Sequence, residues 1–146
     1  MPFPEPKQTA KMLKEEIRQS AKQIFSKVIE NRRHLHAHPE LSFREYETSS
    51  FVKGRLDEMG IPWEAMADTG VVAIVQGEKP GDKIIALRAD MDALPITEAG
   101  DLAYVSQNKG VMHACGHDGH TASLLGTAYI LQSIKSKIGG TINLLF

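Results

Sequence analysis

The sequence predicts an α/β protein, an α/β/α sandwich built on a mixed, largely parallel sheet. Three observations favour this class: amphipathic helical patterns alternate with short apolar runs, these runs are rich in β-branched residues, and turn-forming residues lie between most of them. Interleaved helices and strands of this kind are typical of layered α/β domains. The 146 residues are enough for a single globular core.

The first ten residues contain three prolines and are expected to form a flexible tail, with residues 11–146 forming the folded part. A helix is predicted next, ending near Arg32 and Arg33. Its apolar residues recur at spacings that place them on one face: Leu13, Ile17, Ile24 and Val28.

Three histidines at alternate positions, His34, His36 and His38, precede Pro39. Because proline disfavours helix at the residue before it, this segment is expected to be an extended, structured connection. In an extended segment, alternate positions would place the three histidine side chains on the same side of the chain. Structural hydrogen bonding is favoured over a metal cluster here, because Arg32 and Arg33 disfavour another cation.

A second helix is predicted over residues 43–59. Ser42 and Glu45 have the spacing of a capping box, and Gly60 with Pro62 ends the segment.

Two strands are predicted at 71–75 and 84–87, separated by a turn-rich loop, and both are expected to be buried. A third helix is expected from Thr121 to Ile138. The glycine pair after it precedes an apolar strand at 141–146.

Composition restricts the possible functions. The formal net charge is -1, with 17 basic and 18 acidic residues and no single-sign block, so a nucleic-acid partner is not expected. No stretch approaches the roughly 20 apolar residues of a membrane helix. The single cysteine excludes an internal disulfide and suits a reducing compartment. We therefore expect a cytoplasmic protein with a small-molecule substrate.

The densest polar cluster is the segment 112–120, directly before the third predicted helix. Cys115 and His117 are two residues apart across a glycine, a spacing that allows a thiolate and an imidazole to bind one cation. The alternative interpretation is a buried thiol beside solvated loop histidines.

A second polar cluster follows the predicted strand 84–87. Asp90 and Asp92 come directly after the strand, and ligands of open α/β sheets bind at the carboxyl ends of strands. Both aspartates are therefore expected near the Cys115 loop. The alternative is that one of them caps a turn and pairs with Arg88.

These clusters occur in the strings Arg-Ala-Asp-Met-Asp-Ala-Leu-Pro (88–95) and Met-His-Ala-Cys-Gly-His-Asp-Gly-His-Thr (112–121). Together with residues 33–42 and 69–73, the strings resemble the metal-dependent amidohydrolase family, which includes hippurate hydrolases, N-acetyldiaminopimelate deacetylases and plant auxin-conjugate hydrolases. The resemblance covers nearly all of the chain after residue 30.

The resemblance implies hydrolysis of the amide bond of an N-acyl amino acid at a site with two divalent ions, manganese or zinc. Cys115 would bridge the ions, His117 would bind one of them, and Asp90 would orient a metal ligand without binding the metal itself. It also implies that the general-base glutamate, further ligands and a lid domain lie after Phe146. The chain is therefore expected to be an N-terminal fragment that is inactive alone, and the complete protein a possible homodimer.

Two other functions remain open from the residues themselves. Cys115 with His117 or His120 as its base would make a cysteine-nucleophile hydrolase. A non-catalytic module could instead bind a metal or a partner through an exposed sheet edge.

Overall fold

The computed structural model describes the backbone of residues 6–146 and the side chains of residues 8–146. The helices and strands follow in chain order as α1 (Pro6–Ala37), α2 (Tyr46–Glu58), β1 (Trp63–Met66), β2 (Gly70–Gln76), β3 (Lys79–Arg88), α3 (His117–Ser133), a short 3-10 turn (Lys135–Lys137) and β4 (Gly139–Leu145). The predicted α/β class is confirmed. The described helices include none that is long and apolar enough to cross a membrane.

The four strands form one mixed sheet in the order β1-β2-β4-β3. β1 and β4 both pair with β2 in antiparallel orientation, whereas β3 and β4 are parallel. The mixed sheet agrees with the sequence prediction, but parallel pairing does not predominate among these strands. Two pairings make the difference. β1, which was not predicted from the sequence, forms a hairpin with β2, and a tight hairpin joins antiparallel strands. β2 also runs antiparallel to β4.

The core lies between one face of this sheet and the helices. Val71, Ala73 and Val75 alternate along β2 and are fully buried. They share a hydrophobic cluster with Val52 of α2 and Leu125 of α3. Sheet and helices thus form two layers of the expected sandwich.

The exposure of β3 differs from the prediction. Residues 84–87 were expected to be buried like 71–75, yet Ile84 is 70% exposed and Ile85 54% exposed. β3 is an edge strand, so no further strand of the described chain covers its outer side. It also begins at Lys79, within the expected loop, with an irregularity in pairing between Lys79 and Ile84.

The helix ends differ from the predicted ones. α1 begins at Pro6, so residues 6–10, expected in the flexible tail, are helical; residues 1–5 of that tail lie outside the described chain. Proline suits a first helical position, where its missing N–H would have had no partner. α3 starts at His117 instead of Thr121 and ends at Ser133 instead of Ile138.

α2 begins without the expected capping box. Its N-cap is Glu45, which makes no side-chain capping bond. The carboxylate of Glu40 replaces the box: it accepts hydrogen bonds from the Thr48 backbone N–H at 2.7 Å, the Thr48 hydroxyl at 2.8 Å and the Glu47 N–H at 3.2 Å. A carboxylate beside the first turn also suits the helix dipole.

Close contact between α1 and α3 depends on a glycine. A Cβ atom placed on Gly126 would lie 2.8 Å from Cγ2 of Val28. The missing side chain therefore lets the two helices approach each other, which helps to set the position of α3.

Candidate metal centre

The candidate site lies at the end of the sheet where the parallel strands β3 and β4 have their carboxyl ends. Asp90 and Asp92 follow β3 directly, and the first turn of α3 brings His117 and His120 to the same edge. The expected proximity of the two aspartates to the segment around Cys115 is therefore present.

Asp92 is the carboxylate that contacts His117. Nδ1 of His117 lies 2.9 Å from Asp92 Oδ1 and 3.0 Å from the Asp92 carbonyl oxygen. Both partners are acceptors, so Nδ1 must carry the proton and donate. In the neutral ring, the other nitrogen, Nε2, then keeps a lone pair, the arrangement in which histidine ligates a metal.

Asp90 contacts the second histidine. His120 Nδ1 lies 3.3 Å from Asp90 Oδ1, and Arg88 Nη1 lies 3.3 Å from Asp90 Oδ2, so the alternative pairing with Arg88 is also formed. The Thr121 hydroxyl donates to the Asp90 carbonyl at 2.8 Å. Partial burial raises the pKa of Asp90, but the hydrogen bond from His120 and the nearby Arg88 charge outweigh it, and the net shift is downward. Asp90 is thus held ionised.

Asp90, His117 and His120 each offer a ligand atom, and these atoms all lie within 4.8 Å of one another. Nitrogen and oxygen donors at this separation suit a divalent cation. His120 was not among the metal ligands expected from the sequence. The signal that identifies it is the three-residue spacing from His117, which places both rings on one face once α3 is known to start at His117.

Cys115 lies on the loop before α3 and its thiol is free and exposed. Gly116 follows it with φ +84° and serves as the helix N-cap, so the chain turns sharply between the thiol and His117. The thiol does not belong to the three-residue group above. Among the described residues it also lacks a hydrogen bond to a histidine, which a cysteine nucleophile would use for activation.

A buried ion-pair network that was not expected from the sequence lies behind the start of α3. His36 lies between two carboxylates: its Nδ1 is 2.8 Å from Asp118 Oδ2, and its Nε2 is 2.9 Å from Glu98 Oε1. Arg32 donates to the same Asp118 oxygen at 2.7 Å. The network ties α1 to the second residue of α3, next to His117. No local pattern could reveal it, since His36 and Asp118 are 82 residues apart.

The hydrogen bonds to Glu98 stabilise its charged form. His36 and the Ser106 backbone N–H, at 2.6 Å, hold the pKa of Glu98 below its usual value in spite of burial. His113 is buried nearby without a hydrogen-bond partner for either ring nitrogen. Burial lowers the pKa of His113, so this imidazole is neutral at neutral pH.

The histidines at 34, 36 and 38 do not lie on one side of an extended segment. α1 continues to Ala37, and in a helix alternate residues point in nearly opposite directions. His36 is buried, whereas His34 and His38 are exposed with ring centroids 4.5 Å apart. The expected structural hydrogen bonding is present for His36 and for His38, whose Nδ1 lies 2.7 Å from the His34 carbonyl oxygen. Burial first, and then the charges of His38 and Arg55, lower the pKa of His34.

The chain is similar in sequence to known hydrolases. Residues 86–146 match peptidase family M20/M25/M40. The chain is 50% identical over 136 residues to an N-acyl-L-amino acid amidohydrolase from Geobacillus stearothermophilus, an alignment that covers 92% of this chain and 36% of that protein. It is 48% identical to thermostable carboxypeptidase 2 from Saccharolobus solfataricus, again over 92% of this chain but 34% of that protein.

A solved structure of an M20 peptidase is also similar to this chain. The dinuclear metal-binding M20 peptidase from Bacillus subtilis superposes with a TM-score of 0.81 at 44% identity, over 86% of this chain and 35% of that one. The chain thus spans about a third of the length of the curated relatives it matches.

Proposed function

We propose, from the membership of this chain in peptidase family M20/M25/M40, that the protein is a metal-dependent hydrolase that cleaves the amide bond of an N-acyl amino acid. The observation that carries the proposal is the hydrogen bond from His117 to Asp92, which leaves Nε2 of His117 as a ligand atom beside Asp90 and His120.

The names of two relatives support the proposed substrate class. One is an amidohydrolase of N-acyl-L-amino acids and the other a carboxypeptidase. The two activities share a chemistry, because the C-terminal residue of a peptide is itself an N-acylated amino acid. A carboxylic acid and a free amino acid are the proposed products.

We propose a centre for two divalent ions, of which the described residues supply only a part. Cys115 and His117 are the proposed ligands, and Asp92 positions His117. Asp90 is a second positioning carboxylate, because its oxygens already contact His120 and Arg88. When bound, the ions would supply Lewis acidity that lowers the pKa of water towards neutrality. Thiolate and imidazole favour zinc, whereas the neighbouring carboxylates also suit manganese.

The proposed general base is a glutamate outside these 146 residues, as the resemblance implies, and the complete protein is a proposed homodimer. The 146 residues alone are therefore expected to show no hydrolysis of N-acetyl or N-benzoyl amino acids with added zinc or manganese. A protein extended by its natural downstream sequence should show hydrolysis that a chelator abolishes. Turnover that survives the chelator would support the cysteine-nucleophile alternative instead.

Zinc calorimetry on the 146-residue chain tests the site directly. Wild type is expected to bind weakly, because two ligands fall short of the three or four usual in zinc sites. Cys115→Ala and His117→Ala should each abolish binding. His38→Ala, which removes an exposed histidine elsewhere, is the control and should leave it intact. Binding that survives both site variants but not His38→Ala would place the metal at the α1 histidines and contradict the proposal.

A further inference from the structure

A cavity of about 380 Å³ opens beside Asp90 and Asp92. Two turns line it from other parts of the chain: the turn at 42–45 before α2, and the tip of the β1–β2 hairpin at 66–70. Val72 near the start of β2 pairs with Leu145 at the end of β4, so the hairpin tip reaches the same sheet edge as the candidate metal centre. Asp90 and Asp92 therefore border both the cavity and the candidate metal centre.

The first turn holds a large side chain in an unfavourable backbone conformation. The Arg44 N–H donates to the Leu41 carbonyl at 2.9 Å, and Phe43 occupies the third position with φ +64°. Glycine or asparagine normally fills that position, because a bulky residue is strained there. The Phe43 side chain is nevertheless 82% exposed, so burial does not explain the strain. Strain of this kind is characteristic of functional sites.

The hairpin tip presents a second apolar side chain. Met66, the last residue of β1, is 55% exposed and also lines the cavity. Two hydrogen bonds join this tip to the start of α2: the Thr69 hydroxyl donates to Glu45 at 2.9 Å, and the Tyr46 hydroxyl donates to Asp68 at 2.9 Å. Phe43 and Met66 are therefore displayed from two turns that are fixed to each other.

We propose that this cavity binds the acyl group of the substrate, and that Phe43 and Met66 determine a preference for large apolar acyl groups. The inference rests on the proposed function. It follows from the lining of the cavity, to which the two turns contribute the exposed Phe43 and Met66, and the segment after β3 contributes Asp90 and Asp92 of the candidate metal centre. The two apolar side chains suit an acyl chain whose amide lies near the metal centre. The volume lies in the range of small-molecule sites.

Binding of two probes to the 146-residue chain with zinc present tests the inference. N-Benzoylglycine should bind about tenfold more tightly than N-acetylglycine in ligand-observed NMR titrations, the ratio that partial burial of a phenyl ring supplies. Phe43→Gly and Met66→Ala should remove this preference. Phe43→Gly should not lower the melting temperature, because glycine accepts a positive φ without strain. Phe25→Ala, which removes an exposed phenylalanine of α1, is the matched control and should keep the preference.

Equal affinity of wild type for the two probes, failure to bind either, or a preference that persists in both variants would each overturn the inference. Zinc calorimetry on the same samples separates it from the proposed function. Intact zinc binding without an acyl preference would contradict the acyl pocket and leave the proposed function unaffected. An acyl preference that depends on Phe43, without zinc binding, would keep the pocket and contradict the metal centre.

Discussion

Asp92 and His117 are 25 residues apart in sequence, and a 2.9 Å hydrogen bond between Oδ1 and Nδ1 joins them. Asp92 follows the end of β3 and His117 opens α3, so the bond links the sheet to the helix at one point. Its chemical effect is to fix the ring orientation and the tautomer of His117.

Removing that bond should weaken metal binding more than it weakens the fold. In Asp92→Ala we expect zinc affinity to fall roughly 10- to 100-fold, the usual cost of losing a carboxylate that orients a ligating histidine. Isothermal calorimetry measures the affinity, and thermal denaturation checks the fold. Asp82→Ala, an exposed aspartate on β3, is the control. Unchanged zinc affinity in Asp92→Ala would show that this hydrogen bond does not position a metal ligand.

Asp90 should also contribute to metal affinity. Asp90→Ala removes the ionised partner of His120 and the contact to Arg88, and it leaves the core untouched because Asp90 is only partly buried. We expect lower metal content in the extended, active protein with little loss of thermal stability. Elemental analysis after dialysis measures metal content; wild-type content and turnover, or a defect confined to folding, would contradict the assigned role.

The start of α2 gives a prediction about stability. Glu40→Ala should cost about 1 kcal/mol, because two N–H groups of the first helical turn and the Thr48 hydroxyl lose their acceptor. Ser42→Ala should have little effect, since the capping box that its sequence position suggested is not formed. Urea denaturation of the two variants distinguishes the two capping schemes. A larger loss of stability in Ser42→Ala than in Glu40→Ala would support the capping box instead.

Two glycine-to-alanine substitutions should have opposite effects on unfolding free energy. Gly126→Ala places a Cβ 2.8 Å from the stiff β-branched Val28 and should destabilise the protein by roughly 1–3 kcal/mol. Gly54→Ala in α2 meets no atom within 4 Å and should stabilise by about 0.5–1 kcal/mol, as expected for an exposed helix. Equal effects would mean that α1 and α3 are not closely packed at Gly126.

The lowered pKa of Glu98 predicts a contribution to stability that is lost in acid. The folded-state pKa of Glu98 lies below the ordinary value of 4.5, chiefly because of the hydrogen bond from His36. A depressed carboxyl pKa stabilises the folded state fully above the unfolded value, and this contribution is lost as pH falls from 4.5 through the folded pKa. Glu98→Gln should flatten that part of the profile in denaturation between pH 6 and 3. The exposed Glu64→Gln should keep the wild-type slope, and an identical slope in Glu98→Gln would exclude the network as its source.

The proximity of the two aspartates to the segment around His117 could be predicted from the sequence. Asp90 and Asp92 directly follow an apolar run, and ligands of open α/β sheets bind at the carboxyl ends of strands. The place of His120 beside Asp90 was not predicted. The exact start of α3 was not accessible from propensity, because the left-handed Gly116 that begins it is set by the surrounding loop.

Other features depend on tertiary context that local patterns do not contain. β3 looks like a buried strand, yet its edge position exposes Ile84 and Ile85. β1 has only four residues, too few for a clear alternation, and without it the hairpin and the antiparallel pairing could not be predicted. The burial of His36 likewise follows from partners that are 62 and 82 residues away.

The long separations in the Arg32–His36–Asp118 network also bear on the order of folding. Arg32 reaches Asp118 across 86 residues, and because closing a long loop costs entropy, we expect this contact to form late in folding. The first turn of α3 would gain its anchor to α1 at that late stage. The histidines would therefore acquire their final geometry after the helices themselves have formed, and a metal ion added during refolding should be captured in a slow phase that follows the growth of helical signal.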